Sequence, residues 1–328
     1  MHFKASLVTE SYNCIFYVVL ICVMYVRLHE TFDLETLRNQ SHLEELVSRY
    51  ATNRGCKTGL RASKIFRTSS RSSALNKVVD PFRTYFPTYF FTRKPQRINY
   101  CAIPKNMSTV MTAIICMLYS DEFRKSNRTL TGDHQRSCHE NNAVHSLKQV
   151  KKLTAGEKWV NFAMVREPEE RFLSGFLFMC TPNNTVSSKC EGCINDIECA
   201  LKTTIDHARR FAAGELSATS FLLWHLGPQN WHCHFQKDKR MQVFKYSPTE
   251  KKKTLKDITT ILEDGGVNPS TINYVISSIS NSSTKHETFR SSAREFFKKQ
   301  LRTRKMQRLL VKLLYWDYIM FDYPLPSI

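Results

Sequence analysis

Residues 159–176 read WVNFAMVREPEERFLSGF, and this stretch decides the fold. Trp159 to Val165 is a compact apolar run of strand length, and Pro168 stands where the first turn of a helix would begin, with Glu170, Phe172, Leu173 and Phe176 following at helical spacing. A strand thus passes directly into a helix, with Arg166 at the strand's carboxyl end. The pattern recurs on both sides. Upstream, INYCAIP from Ile98 is β-prone, and the segment after it places Val110, Met111, Ile114, Ile115 and Leu118 on one helical face. Downstream, Met241 to Tyr246 is a third short strand, and Thr254–Glu263 and Glu295–Tyr315 carry helical periodicity. Strands alternating with helices predict an α/β fold: a central parallel sheet flanked by helices in three layers. No internal repeat is visible.

Composition narrows the class. The chain has 328 residues, 42% hydrophobic and 12% aromatic, enough for a substantial core, which excludes wholesale disorder, collagen and polytopic membrane proteins. Lys and Arg number 48 against 29 acidic residues, a formal charge of +19, so an anionic partner is expected. Only ten glycines are present, which weighs against glycine-rich nucleotide loops and a glycine-punctuated barrel.

Residues Cys14 to Val26 form an uncharged apolar run of 13 residues between Lys4 and Arg27. A comfortable single span needs about 20 residues, so the run fits a short signal anchor or the core of a cleaved signal; a buried helix of a cytosolic protein is the plain alternative. No small-x-small cleavage site follows, which favours a tail at 1–11, an anchor at 12–27, a Ser/Arg/Lys-rich stem at 28–95 and a folded domain at 96–328. Eleven cysteines point the same way. C-x-x-C at Cys190 and Cys193 lacks the second close pair that a zinc ribbon needs, so disulfides are expected and no metal. Nine cysteines beyond the apolar run leave one unpaired, expected at Cys101 or Cys116. Asn-x-Ser/Thr sequons at Asn39, Asn106, Asn127, Asn183 and Asn281 suit a secretory lumen.

Two strand-to-helix junctions carry chemistry. Pro104-Lys105-Asn106-Met107-Ser108-Thr109 joins the first strand to its helix, where free N–H groups and the helix dipole attract an anion; Lys105 adds a cation, and Ser108 and Thr109 add hydroxyls. The same residues also make an ordinary N-cap. At the second junction Arg166 and Ser174, two turns into the helix, would converge on one phosphate, while Arg171 is expected to pair with Glu167 or Glu170.

K-x-x-S-T after one strand and R-E-P-x-x-R-x-x-S-x-F after another resemble the 5′-phosphosulfate loop and 3′-phosphate motif of sulfotransferases that use 3′-phosphoadenosine 5′-phosphosulfate. More narrowly, His225-Leu-Gly-Pro-Gln229-Asn-Trp-His-Cys233 and Tyr315-Trp-Asp317-Tyr-Ile-Met-Phe-Asp-Tyr323 resemble stretches of the Golgi carbohydrate sulfotransferases of the chondroitin 4-O-sulfotransferase type, in a divergent, nematode-like form. The resemblance spans Ile98 to Pro324 and departs at Leu226, where the family has an aromatic. It implies a P-loop-like sulfotransferase fold, sulfuryl transfer to a glycan hydroxyl without a metal, and a Golgi-membrane protein with a lumenal catalytic domain, or a secreted one after signal cleavage. It also implies roles: Lys105 at the leaving group; Asn106, Met107, Ser108 and Thr109 at the 5′ end; Arg166 and Ser174 at the 3′-phosphate; and Lys285 over the cofactor, with Arg290 as its alternative.

His is the side chain whose ordinary pKa suits a neutral-pH base, and His225 lies in the matching segment. A hydrogen-bonded structural histidine and a metal site with His232 and His234 are the other readings of the same residues. Arg294, Lys298, Arg302, Lys305, Arg308 and Lys312 recur at three- and four-residue steps; they form either a stripe for an anionic glycan or the solvated face of an amphipathic helix. A non-catalytic polyanion-binding secretory protein would use the same charge. Nucleic acid is disfavoured by the leader, the cysteines and the lack of basic residues interleaved with aromatics.

Overall fold

The computed structural model describes residues 78–80, 86, 88–93, 96–126, 128–132, 143–156, 158–182, 186–280 and 293–327. The expected tail, anchor and most of the stem lie outside them, as do Lys285, Arg290 and the sequons at Asn39, Asn127, Asn183 and Asn281. Among the described residues no helix is long and apolar enough to cross a membrane.

Five strands form one mixed sheet: β1 (Tyr89–Arg93), β2 (Ile98–Ala102), β3 (Ala143–Val144), β4 (Val160–Arg166) and β5 (Gln242–Tyr246). Their order is β3-β1-β2-β4-β5. The expected parallel sheet is the half made by β2, β4 and β5, with Tyr100 opposite Phe162 and Arg166 opposite Tyr246. β1 and β3 extend it antiparallel. Every residue of β4 is buried, as a central strand covered on both faces requires.

The helices are α1 (Ser108–Tyr119), α2 (Asp121–Lys125), α3 (Leu147–Leu153), α4 (Pro168–Met179), α5 (Ile197–Ala212), α6 (Phe221–Leu226), α7 (Lys251–Asp264), α8 (Pro269–Ser280), α9 (Arg294–Leu301) and α10 (Arg304–Met320). Ile98, Tyr100, Phe162 and Met164 share one sheet face by strand alternation and pack with α1, α7 and α8. A second core is built from α4, α5, α6, α9 and α10 around Phe172, Leu201, Leu222 and Leu310. Gly175 permits the close contact of α4 with α6, since a Cβ there would meet Leu226 at 2.3 Å.

Three expectations are corrected. The stretch read as stem to residue 95 contains β1 and the buried Val79 and Phe86, so the fold starts upstream of residue 96. The helix expected over Glu295–Tyr315 is two, α9 and α10, with Thr303 in extended conformation between them. The free cysteine is neither Cys101 nor Cys116. Cys101 pairs with Cys233, and Cys116 is also disulfide-bonded, its partner lying outside the described residues. Cys180–Cys190 and Cys193–Cys199 show the C-x-x-C cysteines in disulfides.

Candidate functional site at the carboxyl ends of the parallel strands

β2 and β4 deliver their carboxyl ends to the same sheet edge, the place where open α/β sheets hold ligands. Beyond β2 the chain turns through Pro104-Lys105-Asn106-Met107 into α1. Lys105 (φ 68°) and Met107 (φ 63°) are both in the left-handed region, which costs about 1–2 kcal/mol for each non-glycine residue. The rest of the fold must therefore hold this turn in place, and its sequence has no glycine to relax it.

The amide of Asn106 is the internal anchor. Fully buried, its Nδ2 donates to the Met164 carbonyl at 3.0 Å and to Gln229 Oε1 at 2.8 Å. The Asn106 side chain thus faces the protein, and its backbone N–H donates to the Ile103 carbonyl at 3.3 Å, so the residue holds the turn from inside. Its burial also closes that sequon to a glycan.

Gln229 ties this turn to β4. Its Oε1 also accepts from the Arg166 backbone N–H at 3.2 Å, and its Nε2 donates to the Arg166 carbonyl at 2.7 Å. Asp317 of α10 holds Gln229 in turn. The carboxylate accepts from Gln229 N and Asn230 N, each at 2.8 Å, and from Asn230 Nδ2 at 2.6 Å. Burial pushes the Asp317 carboxyl up to about 6, against the pull of Arg171 and these donors. Asn106, Arg166, Gln229 and Asp317, far apart along the chain, thereby form one polar knot under the site. The cystine Cys101–Cys233 fastens the end of β2 to the segment that carries Gln229.

Arg166 is 5% exposed. Its Nη1 donates to the Lys105 carbonyl at 3.4 Å and its Nη2 to Glu170 Oε2 at 3.3 Å, while its buried Nε has no hydrogen-bond partner among the described residues. Glu170 also receives Arg294 and Lys298. Burial alone would raise the Glu170 carboxyl, but the Lys298 hydrogen bond and the Arg294 and Arg166 charges hold it below the ordinary value. Ser174 is buried one turn beyond Glu170 on the same face of α4.

Arg171 departs from its expected pairing. Glu167 instead caps α4, accepting from Glu169 N at 3.2 Å and Glu170 N at 2.7 Å. The Arg171 guanidinium, 1% exposed, donates Nε to the Pro104 carbonyl at 3.1 Å and Nη1 to the Gly227 carbonyl at 2.6 Å, and its Nη2 has no hydrogen-bond partner among the described residues. Burial pushes its pKa down to about 10, with Asp317 opposing and Arg166 assisting.

Lys105 is half-buried, its ammonium 3.2 Å from the centroid of the Phe178 ring. Burial, then the charges of Arg166 and Arg171, push its pKa well below the ordinary lysine value. His225 lies on α6 within electrostatic reach of Lys105. Burial, with Lys105 second, lowers its pKa well below the ordinary histidine value. Its Nδ1 is 2.9 Å from the Phe221 carbonyl oxygen. A carbonyl only accepts, so the proton sits on Nδ1 and Nε2 carries the lone pair. His232 is buried against Phe86, and His234 stacks on Phe90. Among the described residues no group of three or more His, Cys, Asp or Glu could hold a metal ion.

The site fits an anion on its own chemistry. α1 begins without a side-chain cap and without an acidic residue in its first turn, Ser108 and Thr109 are half-buried there, and two buried guanidiniums face the turn with spare donors. In contrast, Arg294 and Lys298 of the basic stripe are spent on Glu170, whereas Arg302, 3.9 Å from Glu169, and Lys305, 2.5 Å from Glu198, keep exposed side chains.

A parallel-strand edge with an uncapped strand-to-helix turn beside two buried guanidiniums defines an α/β protein whose site fits an anion. The chain belongs to the sulfotransferase family, whose profile matches residues 88–324. It is similar to an uncharacterized protein of Caenorhabditis elegans, 28% identical over 241 residues, which covers 70% of this chain and 68% of that protein. It is also similar to the carbohydrate sulfotransferase chst-1 of C. elegans, 26% identical over 262 residues, covering 75% and 78%. No solved structure matches the chain.

Proposed function

We propose that this chain is a carbohydrate O-sulfotransferase that takes the sulfuryl group of 3′-phosphoadenosine 5′-phosphosulfate to a hydroxyl of an anionic, chondroitin-like glycan. The observation that carries the reading is the pair of strand-end cradles tied together by Gln229: one uncapped with Lys105, the other built on Arg166 with a spare buried donor. The similarity to a protein named as a carbohydrate sulfotransferase supports the acceptor class.

Such a donor, when bound, supplies a sulfuryl group whose bond to a phosphate oxygen breaks as a bond to the acceptor oxygen forms. The backbone N–H groups of Met107 and Ser108 and the hydroxyls of Ser108 and Thr109 would hold the 5′ end, with Asn106, whose own N–H goes to the Ile103 carbonyl at 3.3 Å, and Met107 setting the turn. Lys105 would stabilise the charge that grows on the departing oxygen. Arg166 and Ser174 would hold the 3′-phosphate, and Lys285 would touch a phosphate of the cofactor. His225, neutral because burial and Lys105 disfavour its cation, would take the acceptor hydroxyl proton at Nε2.

We place the protein in the Golgi membrane with a short tail, the anchor at 12–27, a stem and a lumenal catalytic domain. The apolar run Cys14–Val26 and the disulfides, which persist in oxidising compartments, support that placement. The test is transfer of ³⁵S from labelled donor to unsulfated chondroitin and a panel of other glycans by the purified chain. Label on a glycan that disappears with Lys105→Ala and Arg166→Ala is expected. Equal labelling by these variants would overturn the assignment.

A further inference from the structure

His225 is surrounded by rings that lie at the seam of the two cores. The Phe221 and Trp224 rings on α6 are 4.1 and 4.6 Å from it, and Phe178 on α4 is 5.9 Å away. Tyr89 of β1 continues the patch, 5.7 Å from Trp224 and 4.8 Å from His145. Phe178, Phe221 and Trp224 pack on the helical core and Tyr89 on the sheet core, yet all four are half-buried. These rings flank the candidate base, and the Lys105 ammonium lies 3.2 Å from the centroid of one of them, Phe178.

We propose that this patch is the acceptor subsite, and that it binds a pyranose ring. A pyranose has an apolar C–H face and a rim of hydroxyls. The C–H face suits the electron-rich faces of aromatic rings such as Trp224 and Tyr89, and the target hydroxyl is brought to His225 Nε2. A pocket of mostly aromatic walls with a few convergent polar groups is the usual form of a small-ligand site. The inference rests on the carbohydrate sulfotransferase reading and deepens it: it assigns acceptor selection to Trp224 and Tyr89.

The full-length chain labelled with 5-fluorotryptophan has four tryptophans and hence four ¹⁹F resonances, of which Trp224→Phe identifies one. Methyl N-acetyl-β-D-galactosaminide and an unsulfated chondroitin hexasaccharide are titrated with and without adenosine 3′,5′-bisphosphate. The Trp224 resonance is expected to shift saturably with at least one of them, and Trp224→Ala is expected to weaken that glycan about tenfold while leaving bisphosphate affinity unchanged. A Trp224 resonance that neither glycan moves, or a Trp224→Ala variant with undiminished glycan affinity, overturns the subsite. Failure of the bisphosphate to bind would overturn the donor assignment instead, and the glycan titration without nucleotide still decides the patch.

Discussion

Gln229→Met is the perturbation that probes the site without touching any residue proposed to meet a ligand. Methionine nearly conserves the volume but removes both amide groups. The change strips the Arg166 backbone N–H and carbonyl of partners at 3.2 and 2.7 Å and takes from Asn106 one of its two acceptors. Leaving a buried polar group unsatisfied costs about 1–3 kcal/mol. Two such groups, partly relieved by relaxation, imply a loss of roughly 3 kcal/mol in unfolding free energy. The same loss of restraint lets Arg166 and the strained Lys105–Met107 turn drift apart, so bisphosphate affinity should fall about 10- to 100-fold, equivalent to about 1.4–2.8 kcal/mol. Urea denaturation reads the first quantity and calorimetric titration with adenosine 3′,5′-bisphosphate reads the second. A variant as stable as the parent and as tight for the nucleotide would refute the claim that Gln229 holds the two cradles in register.

Lys105 enters with its charge disfavoured by burial and by Arg166 and Arg171. An anion that restores the charge must draw in a proton, so bisphosphate binding should weaken as pH rises above the lysine's lowered pKa. Titrations in two buffers of different ionisation enthalpy should show net proton uptake, abolished in Lys105→Arg. His225→Ala should lower kcat by about 10²- to 10⁴-fold with bisphosphate affinity nearly unchanged. Because burial and Lys105 depress the His225 pKa, the acid limb of the parent's kcat/KM profile should fall below the ordinary histidine value; an acid limb above it would argue against His225. Removing the Cys101–Cys233 cystine, which closes 132 residues, as Cys101→Ser with Cys233→Ser should cost about 5 kcal/mol on the loop-entropy relation, read by denaturation of the double variant.

The strand-to-helix junctions were legible because their signals are local. An apolar run, Arg166 at its end and Pro168 just inside the helix follow one another directly in the sequence, and the pattern survives folding unchanged. β1 was not legible, since Phe90 and Phe91 are both fully buried and so lack the alternation that marks a half-exposed strand. Arg171 misled for a related reason: helical spacing offered it Glu167, and Glu170 is its neighbour in sequence, but the fold buries it between the Pro104 and Gly227 carbonyls, and only tertiary structure brings those near. Gln229 and Asp317 lay inside segments read by resemblance, yet their task appears only when positions 106, 166, 229 and 317 meet. The rings around His225 come from α4 and α6 and continue to Tyr89 of β1, a joining across two cores that no local pattern in the sequence marks.

The central claim is that the two junctions together recognise a nucleotide carrying a 3′-phosphate. Binding of adenosine 3′,5′-bisphosphate, compared with ATP and 5′-AMP on the same preparation and with the Arg166→Ala variant, tests it most directly. The account predicts a clear preference for the bisphosphate over both competitors, and a loss of that preference in Arg166→Ala. Equal affinity for 5′-AMP and the bisphosphate, or a preference untouched by the substitution, would contradict it.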